Sequence, residues 1–449
     1  LFWSKRMLEI ISVGGYEEVG KNMTVIKYNN EAVVLDMGVH LPSLIKYQSG
    51  GGDKKYLTKK GMQKVGIIPD DSKLDKSIVK AIIPSHCHLD HTGGIPHMEK
   101  EYDAPIYATP YTAEFIKLMA KDDNIKMKNK IIVKKATNKF KVSDNIDVEL
   151  IHMTHSTLDA AMIAVHTPDG IVMYSNDFKL DNKPVMGRKP DTDRLKEIGE
   201  SGKVKALVLD SLYASTPGKT FSESVAKEML KDVMLGTENT GHGLIVTSFA
   251  SQIARLKSTV EFGEKIGRKV ILLGRSLAKY TQAAKNLGYA PWMKNVEVVT
   301  YGYQVRKKLK QIERNREKYL IVCTGNQAEE NAILTRIGEK KLPFKFKKDD
   351  HVVFSCRTIP VEPNLTNRAR LEKQLIREGV RVFKDVHASG HGAIEDARDL
   401  IEMLKPEKII PGHGSRDQTG DITKLTNAMG FKTGKDVIFM EDVKTLKLK

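Results

Sequence analysis

Short runs of apolar, mostly β-branched residues alternate along the chain with stretches whose apolar positions recur at helical spacing. LEIISVGG, MTVIKY, AVVLDMG and VKAIIPS predict strands. PYTAEFIKLMAKDD has apolar residues on one helical face and predicts a helix. AMIAVHTPDGIVMYSND predicts two strands joined at a Pro-Asp-Gly turn. Residues 7–206 therefore predict the first part of a layered α/β domain.

The pattern then changes to repeated strand–helix units. KALVLD, GLIVTSFA, KVILLG and YLIVCTG each precede an amphipathic stretch, which indicates a mostly parallel sheet with helices on its faces. We predict an inserted domain over residues 207–361. The first pattern returns over 362–449, where VRVFKDVHASGH and KIIPGHG flank the predicted helix IEDARDLIEMLK. The polar, Gly/Lys-rich segment from Ser43 to Val65 predicts a surface loop or lid.

The first residues, LFWSKR, precede Met7, where we expect the natural start. They are too short and too polar for a signal peptide. The sequence contains no apolar run near the ~20 residues of a membrane span, so we expect no membrane partner. Cys87, Cys323 and Cys356 are few and far apart, which favours a reducing cytoplasm over a disulfide framework.

Composition and charge add one further expectation. At 40% hydrophobic and 29% charged, the 449 residues are typical of a folded globular protein. Lys and Arg total 73 against 56 Asp and Glu, a formal net charge of +17 that favours polyanionic partners. A lysine-rich solvated surface is the alternative, and charge alone does not separate the two. The basic stretch KLKQIERNREK predicts a solvated helix face rather than a defined RNA track.

The strongest chemical signal is the run His86-Cys87-His88-Leu89-Asp90-His91, directly after a predicted strand. Histidine nitrogen and aspartate oxygen are typical zinc ligands. A compact loop can direct His86 and His88 at one metal and Asp90 and His91 at a second. A lone histidine is more often a core residue than a ligand, but so dense a cluster predicts a two-metal site.

Further candidate ligands end other apolar runs, where α/β folds place their chemistry. His155 lies in IHMTHSTLDAA, Asp177 ends IVMYSND and His413 ends KIIPGHG. Asp177 is the candidate bridge, since a carboxylate has two oxygens. We interpret His152 and His166 as structural residues.

These motifs resemble those of the metallo-β-lactamase superfamily, whose HxHxDH motif matches HCHLDH. The resemblance implies an αββα sandwich that holds two zinc ions, with manganese as an alternative metal. It implies that His86, His88 and His155 bind one ion and that Asp90, His91 and His413 bind the other, with Asp177 between them. Asp36 in VVLDMG would hold this cluster in place.

The inserted domain is similar to the β-CASP domain of nucleic-acid-processing enzymes. Asp210 in ALVLDSLYAS and His391 in VHASGHG match two of its motifs, and His413 matches a third in the form carried by RNA-directed members. GGYEEVGKN, HLDHTGG, TSFASQIARL, LGRS and CTGNQAEE most resemble the ribonuclease J family in its short archaeal form. The resemblance covers residues 14–414 and implies 5′-to-3′ exonuclease action, with some endonuclease cutting, as a homodimer in RNA processing and decay.

Roles for the remaining candidates follow from phosphodiester chemistry. Asp90 would belong to the catalytic centre, and His391 would donate a proton to the scissile phosphate or to the departing O3′. Asp210 would orient either His391 or His413. A pocket for the 5′-monophosphate of single-stranded RNA needs hydroxyls, cations and backbone N–H groups. The candidate phosphate ligands are Ser248, Ser251, Arg275, Ser276, His387, Ser389 and Gly390.

Three other functions remain open. A small-molecule zinc hydrolase of the thioesterase type would share HxHxDH, but it would not require the inserted domain, Asp210 or His391. A DNA-directed β-CASP nuclease is disfavoured by His413. A catalytically weak RNA-binding subunit is disfavoured by the complete ligand set. Ser251 and Ser276 also have a structural interpretation as helix caps.

Overall fold

The computed structural model describes residues 7–52, 54, 57–359 and 362–448. Residues 1–6, which were predicted to precede the start at Met7, lie outside them. The chain divides into two compact units. Unit 1 comprises the described residues up to Asn182, Gly187–Thr220 and those from Gly390 onward. Unit 2 comprises Lys183–Met186 and Phe221–Ser389.

Unit 1 contains two sheets. In spatial order, the first is formed by β19 (Lys444–Leu448), β1 (Leu8–Gly14), β2 (Met23–Tyr28), β3 (Glu31–Leu35), β4 (Val79–Ile83), β5 (Ile106–Ala108) and β6 (Ile131–Val133). The second, in the same manner, is formed by β18 (Ile409–Gly412), β11 (Val204–Asp210), β10 (Gly170–Tyr174), β9 (Ala161–Thr167), β8 (Asp147–His152) and β7 (Lys139–Lys141).

The helices of unit 1 flank these sheets. They are α1 (Leu41–Ser49), α2 (Lys59–Lys64), α3 (Leu89–Thr92), α4 (Ile95–Met98), α5 (Pro110–Asp122), α6 (Thr192–Glu200), α13 (Ile394–Leu404), α14 (Arg416–Gly420) and α15 (Ile422–Ala428), with 3-10 turns at Lys76–Ile78 and Glu99–Glu101. Helices α1 and α2 lie where the sequence predicted a loop, which is a correction to that prediction. The Thr58 side chain accepts from the Gly61 amide and so caps α2.

The core of unit 1 explains its long apolar runs. Alternate residues of a strand point to opposite faces, and in β9 both faces are buried. Ile163 joins Val33 and Leu35 of β3 in a core between the two sheets. Met162 joins Leu400 of α13 and Ile198 of α6 in a second core behind the sheet. Helix α5 contacts β5 and β6 of the first sheet. The order is helix, sheet, sheet, helix, as predicted.

Unit 2 is built on a single parallel sheet. In spatial order its strands are β14 (Glu297–Val299), β13 (Lys269–Leu273), β15 (Tyr319–Cys323), β12 (Leu244–Thr247), β16 (His351–Phe354) and β17 (Arg381–Phe383). Its helices are α7 (Glu223–Leu235), α8 (Ile253–Lys265), α9 (Arg275–Asn286), α10 (Gly302–Arg314), α11 (Ile333–Gly338) and α12 (Asn364–Arg377), with 3-10 turns at Pro291–Met293 and Arg316–Lys318.

The main segment of unit 2, Phe221–Ser389, begins and ends later in the chain than the domain boundaries predicted at 207 and 361. Strand β11 pairs in parallel with β10 and with β18, so it belongs to the second sheet of unit 1. Strand β17 pairs with β16 and belongs to unit 2. Both strands are short runs whose partners are distant in sequence, and local pattern does not identify such partners. None of the helices in the described residues has the length and apolar character needed to cross a bilayer.

Candidate metal centre

The candidate ligands of unit 1 follow the carboxyl ends of its strands. His86 and His88 follow β4, His155 follows β8, Asp177 follows β10 and His413 follows β18. Strands β10, β11 and β18 are mutually parallel, and β8 and β10 are both antiparallel to β9. These four strands therefore run in one direction, and their carboxyl ends meet at one edge of the sheet.

A first cluster contains His86, His88, His155 and Asp177, whose ligand atoms lie within 4.8 Å of one another. The Nε2 atoms of His86 and His155 lie 3.6 Å and 3.5 Å from Asp177 Oδ2. His155 Nε2 lies 3.1 Å from His88 Nδ1. Three nitrogens and one carboxylate oxygen thus converge on a common point.

A second cluster contains Asp90, His91, Asp177 and His413. His91 Nε2 and His413 Nε2 lie 3.2 Å and 3.5 Å from Asp177 Oδ1. They lie 3.7 Å and 3.9 Å from Asp90 Oδ2. The two oxygens of Asp177 therefore face different clusters, and this one carboxylate belongs to both.

The protonation states of the three histidines in the first cluster suit metal binding. His86 is fully buried, and its Nε2 has no hydrogen-bond partner among the described residues. Such an atom costs about 1–3 kcal/mol unless another species satisfies it. Burial, aided by the neighbouring histidines, lowers the pKa of His86 and His155 well below the ordinary value. Burial also lowers the pKa of His88 to about 4. The His/Asp cluster is capable of binding metal ions, because neutral imidazoles and a carboxylate present their lone pairs together.

Asp36 fixes the orientation of His91. Its Oδ2 accepts a hydrogen bond from His91 Nδ1 at 2.7 Å, which leaves His91 Nε2 facing Asp177. The same carboxylate accepts from the Tyr174 hydroxyl at 2.8 Å and from the Ser85 amide at 2.7 Å. Asp36 itself has φ of +61°. This left-handed conformation is rare outside glycine, asparagine and aspartate.

Two further contacts orient His155 and His413. His155 Nδ1 donates to the Gly390 carbonyl at 2.7 Å, so its Nε2 faces the first cluster. A Cβ at Gly390 would lie 2.9 Å from the His155 ring, so only glycine permits this approach. Asn22 Oδ1 lies 3.1 Å from His413 Nδ1. Asn22 belongs to the motif GGYEEVGKN, but neither Asn22 nor Tyr174 was predicted to have a role at the site.

A third group places His391 beside the metal clusters. His391 Nδ1 lies 2.8 Å from Asp210 Oδ2, and its Nε2 lies 3.8 Å from Asp177 Oδ2. Its ring stacks on His413 and on Tyr213, with centroid distances of 5.5 Å and 5.6 Å. Burial disfavours the charged imidazole, but Asp177 and Asp210 outweigh this and raise the pKa of His391 to about 9. Of the two histidines that Asp210 was expected to orient, the structure pairs it with His391.

Three other candidates lie outside the clusters. His152 Nε2 contacts the Arg188 carbonyl at 3.0 Å, and His166 Nε2 contacts Glu149 Oε2 at 3.1 Å. The Cys87 sulfur faces Thr157, and burial raises the pKa of its thiol to about 12. A protonated thiol is a poor metal ligand, so Cys87 is a packing residue.

The candidate phosphate ligands are divided between the units. Gly390 lies in unit 1, whereas Ser248, Ser251, Arg275, Ser276, His387 and Ser389 lie in unit 2. The Ser248 hydroxyl is 2% exposed and donates to the Ser355 carbonyl at 3.1 Å. Arg275 and Ser276 are exposed in the first turn of α9. Helices α8 and α9 begin after Gln252 and Gly274, so the expected caps Ser251 and Ser276 do not occupy the capping positions.

Three family profiles match consecutive parts of the chain. The metallo-β-lactamase superfamily matches residues 16–231, the ribonuclease J β-CASP domain matches 241–370, and the Zn-dependent metallo-hydrolase RNA specificity domain matches 380–437. A solved structure described as a protein of unknown function from Enterococcus faecalis is similar in fold, with a TM-score of 0.65 at 15% identity. It covers 98% of this chain and 100% of its own. Fold and ligand set thus define a metallo-β-lactamase-type protein with a β-CASP insertion, which confirms the predicted fold class.

Proteins of similar sequence narrow this class to a single family. Ribonuclease J of Methanocaldococcus jannaschii is 41% identical over 96% of this chain and 96% of its own length. Ribonuclease J of Pyrococcus abyssi is also 41% identical, over 96% and 95%. Ribonuclease J of a Synechocystis species is 30% identical over 96% of this chain but 64% of its own length. The chain belongs to the ribonuclease J family.

Proposed function

We propose that this chain is a metal-dependent ribonuclease that hydrolyses RNA phosphodiesters. The observation that carries the proposal is the Asp177 carboxylate shared between two His/Asp clusters, with His391 3.8 Å from the same carboxylate. The names of the relatives and the RNA specificity profile support RNA as the substrate. The family further suggests 5′-to-3′ exonuclease action that prefers 5′-monophosphate ends, with some endonuclease activity.

The proposed cofactor is a pair of zinc ions, with manganese as the alternative. His86, His88 and His155 would hold one ion, Asp90, His91 and His413 the other, and Asp177 both. When bound, the two cations supply positive charge that acidifies the attacking water and neutralises the phosphate oxygens. Three of the ligand histidines are held in place by hydrogen bonds to Asp36, Asn22 and the Gly390 carbonyl.

His391 supplies the proton for the leaving group. Asp210 accepts from His391 Nδ1 and favours the charged imidazole, so Nε2 also carries a proton. As the attacking water loses one proton to the solvent and its oxygen bonds to phosphorus, the bond from phosphorus to O3′ breaks and His391 Nε2 gives its proton to O3′. Ring stacking against His413 and Tyr213 holds the imidazole in position.

The experiment is a digestion of one 3′-labelled RNA prepared with 5′-monophosphate, 5′-triphosphate and 5′-hydroxyl ends. We expect mononucleotides to be released fastest from the monophosphate, and His88→Ala to be inactive. His166→Ala removes a unit 1 histidine outside the clusters and should retain activity. A chelator should abolish cleavage, and zinc or manganese should restore it. Intact RNA under all metal conditions, with cleavage of a thioester or of DNA instead, would contradict the proposal.

Two further proposals concern the cellular location and the oligomeric state of the protein. The three cysteines are free and buried in the structure, which supports a reducing cytoplasm. A homodimer is proposed from family membership alone, and light scattering at assay concentration tests it.

A further inference from the structure

Helix α10 of unit 2 exposes a continuous basic and aromatic row. Its inner face is anchored in the core of unit 2 by Val305, Leu309 and Ile312. Tyr303, Lys307, Lys310 and Arg314 follow one another at spacings of four, three and four residues, which places them on one face of a helix. All four are exposed, and Tyr303 keeps 72% of its surface in solvent. We call these four residues the α10 stripe.

No carboxylate in the described part of the chain neutralises the charges of the α10 stripe. Its cations form no ion pair there, whereas Lys308, on another face of the helix, lies 2.6 Å from Glu297. The helix contains one acidic residue, Glu313, which accepts from the Lys345 amide at 3.1 Å. Neighbouring carboxylates do not neutralise these cations. We therefore expect the row to bind a polyanion.

The aromatic end indicates the kind of polyanion. Large aromatic side chains are seldom left mostly exposed, yet Tyr301 is 63% exposed beside Tyr303. Exposed aromatic rings next to cations form stacking platforms for unpaired bases. The row from Tyr303 to Arg314 is roughly 16 Å long at the rise of an α-helix, enough for several nucleotides.

We infer that the α10 stripe binds single-stranded RNA, with Tyr303 stacking on a base and Lys307, Lys310 and Arg314 contacting phosphates. The inference rests on the proposed function for the identity of the polyanion. It also revises the expectation of a merely solvated face, because KLKQIERNREK starts after Tyr303 and omits the aromatic end. The stripe adds affinity for long RNA without taking part in the chemistry.

The charge test compares two triple variants that lower the net charge equally. The probe is a fluorescein-labelled phosphorothioate oligouridylate of about 20 nucleotides, longer than the roughly 4–16 nucleotides of a typical single-strand site. Binding is followed by anisotropy at several salt concentrations. The test variant is Lys307→Gln/Lys310→Gln/Arg314→Gln. The control is Lys231→Gln/Lys340→Gln/Lys341→Gln, at exposed lysines of the same unit.

We expect the test variant to bind about tenfold more weakly than the control, with a salt slope smaller by about 2, since each lost phosphate contact removes about 0.7. Tyr303→Ala should also lower the affinity about tenfold, while Tyr303→Phe should not, because stacking needs the ring and not the hydroxyl. Cleavage of a substrate of about five nucleotides should have unchanged kcat/KM in all variants.

Two results would overturn the inference, and a third would bear only on the proposed function. Equal affinity in the test and control variants would make the α10 stripe a solvated face. A wild-type dimer that becomes a monomer in the test variant, with unchanged RNA affinity, would assign the face to a second copy of the chain. A wild-type protein that binds the probe through the stripe but cuts no RNA would contradict only the proposed function.

Discussion

His391 Nδ1 lies 2.8 Å from Asp210 Oδ2, and the two residues are brought together from chain segments 181 residues apart. Asp210 ends β11, and His391 lies just before α13. The carboxylate determines which nitrogen of His391 faces Asp177 and favours the charged ring. The two side chains should therefore act as one unit.

The coupling of Asp210 to His391 predicts that substitutions of the two residues have non-additive effects on the kinetics. We expect His391→Ala to lower kcat by about 10²–10⁴, and Asp210→Asn to lower it by at least about tenfold with little change in KM. The double variant should be no slower than His391→Ala, because Asp210 acts through the ring. Steady-state kinetics of all three variants checks this. Asp399→Asn, which removes a carboxylate paired with Lys219 on the surface, is the control. Effects that multiply in the double variant would show that Asp210 has a separate role.

Asp36→Asn should weaken metal binding while the fold is kept. Asparagine tolerates the positive φ of this position, so the variant keeps the backbone conformation but removes the charge and the acceptor oxygen that hold His91 and Tyr174. The expected loss of metal affinity is about 10- to 100-fold, measured by competition with a chromophoric chelator. Asp385→Asn, an exposed position with φ of +56°, should have unchanged affinity. An unchanged affinity in Asp36→Asn would mean that His91 needs no such support.

Arg255→Met should destabilise unit 2. Arg255 is fully buried and donates to both Glu223 oxygens, at 2.6 Å and 2.8 Å, and to the Ser355 and Val386 carbonyls. Removing it takes a hydrogen-bonded positive charge away from the buried Glu223 carboxylate, at a cost of about 3–5 kcal/mol. Urea unfolding measures the change, and the exposed Arg370→Met should stay within about 0.5 kcal/mol of wild type. A loss as small as that of the control would mean that Glu223 relaxes toward solvent.

The acid stability of unit 1 should depend on Glu149. Burial alone would raise its pKa, but hydrogen bonds from His166 and Arg194 lower it from 4.5 to about 2. A carboxylate whose pKa is lower in the fold stabilises it fully above pH 4.5 and loses this contribution as the pH falls toward 2. Glu149→Gln should therefore be less stable at pH 6 and should lose less stability than wild type on acidification.

Urea midpoints at several pH values test the Glu149 prediction. The control is Glu197→Gln, which also removes a partner of Arg194, but one whose side chain is 63% exposed. We expect the control to follow the wild-type pH dependence. Parallel curves for Glu149→Gln and wild type would show that the pKa of this carboxyl is not lowered by folding.

The sequence predicted elements and ligands well wherever the signal was local. The strands around LEIISVGG and AVVLDMG lie where expected as β1 and β3. The run from His86 to His91 supplies four members of the two clusters, because ligands on a single short loop are adjacent in sequence as well as in space.

Features that depend on distant partners were not predictable. KALVLD has the pattern of any buried strand, and only its pairing with β10 and β18 places β11 in unit 1. Asn22 reaches His413 across 391 positions, and the motif GGYEEVGKN that it ends carries no signal of such a contact. Ser248 has the residue type of a phosphate ligand, but the direction of its side chain is set by packing against Ser355.

The order of segments in unit 1 has a consequence for synthesis. Asp36, His86 and Asp177 precede unit 2, whereas His391 and His413 follow it. Strand β18, which positions His413, completes a sheet whose other strands were made roughly 200 residues earlier. A nascent chain on the ribosome has no complete catalytic centre until its C-terminal segment emerges. Each new chain is therefore expected to become able to act on RNA only when its synthesis is nearly finished.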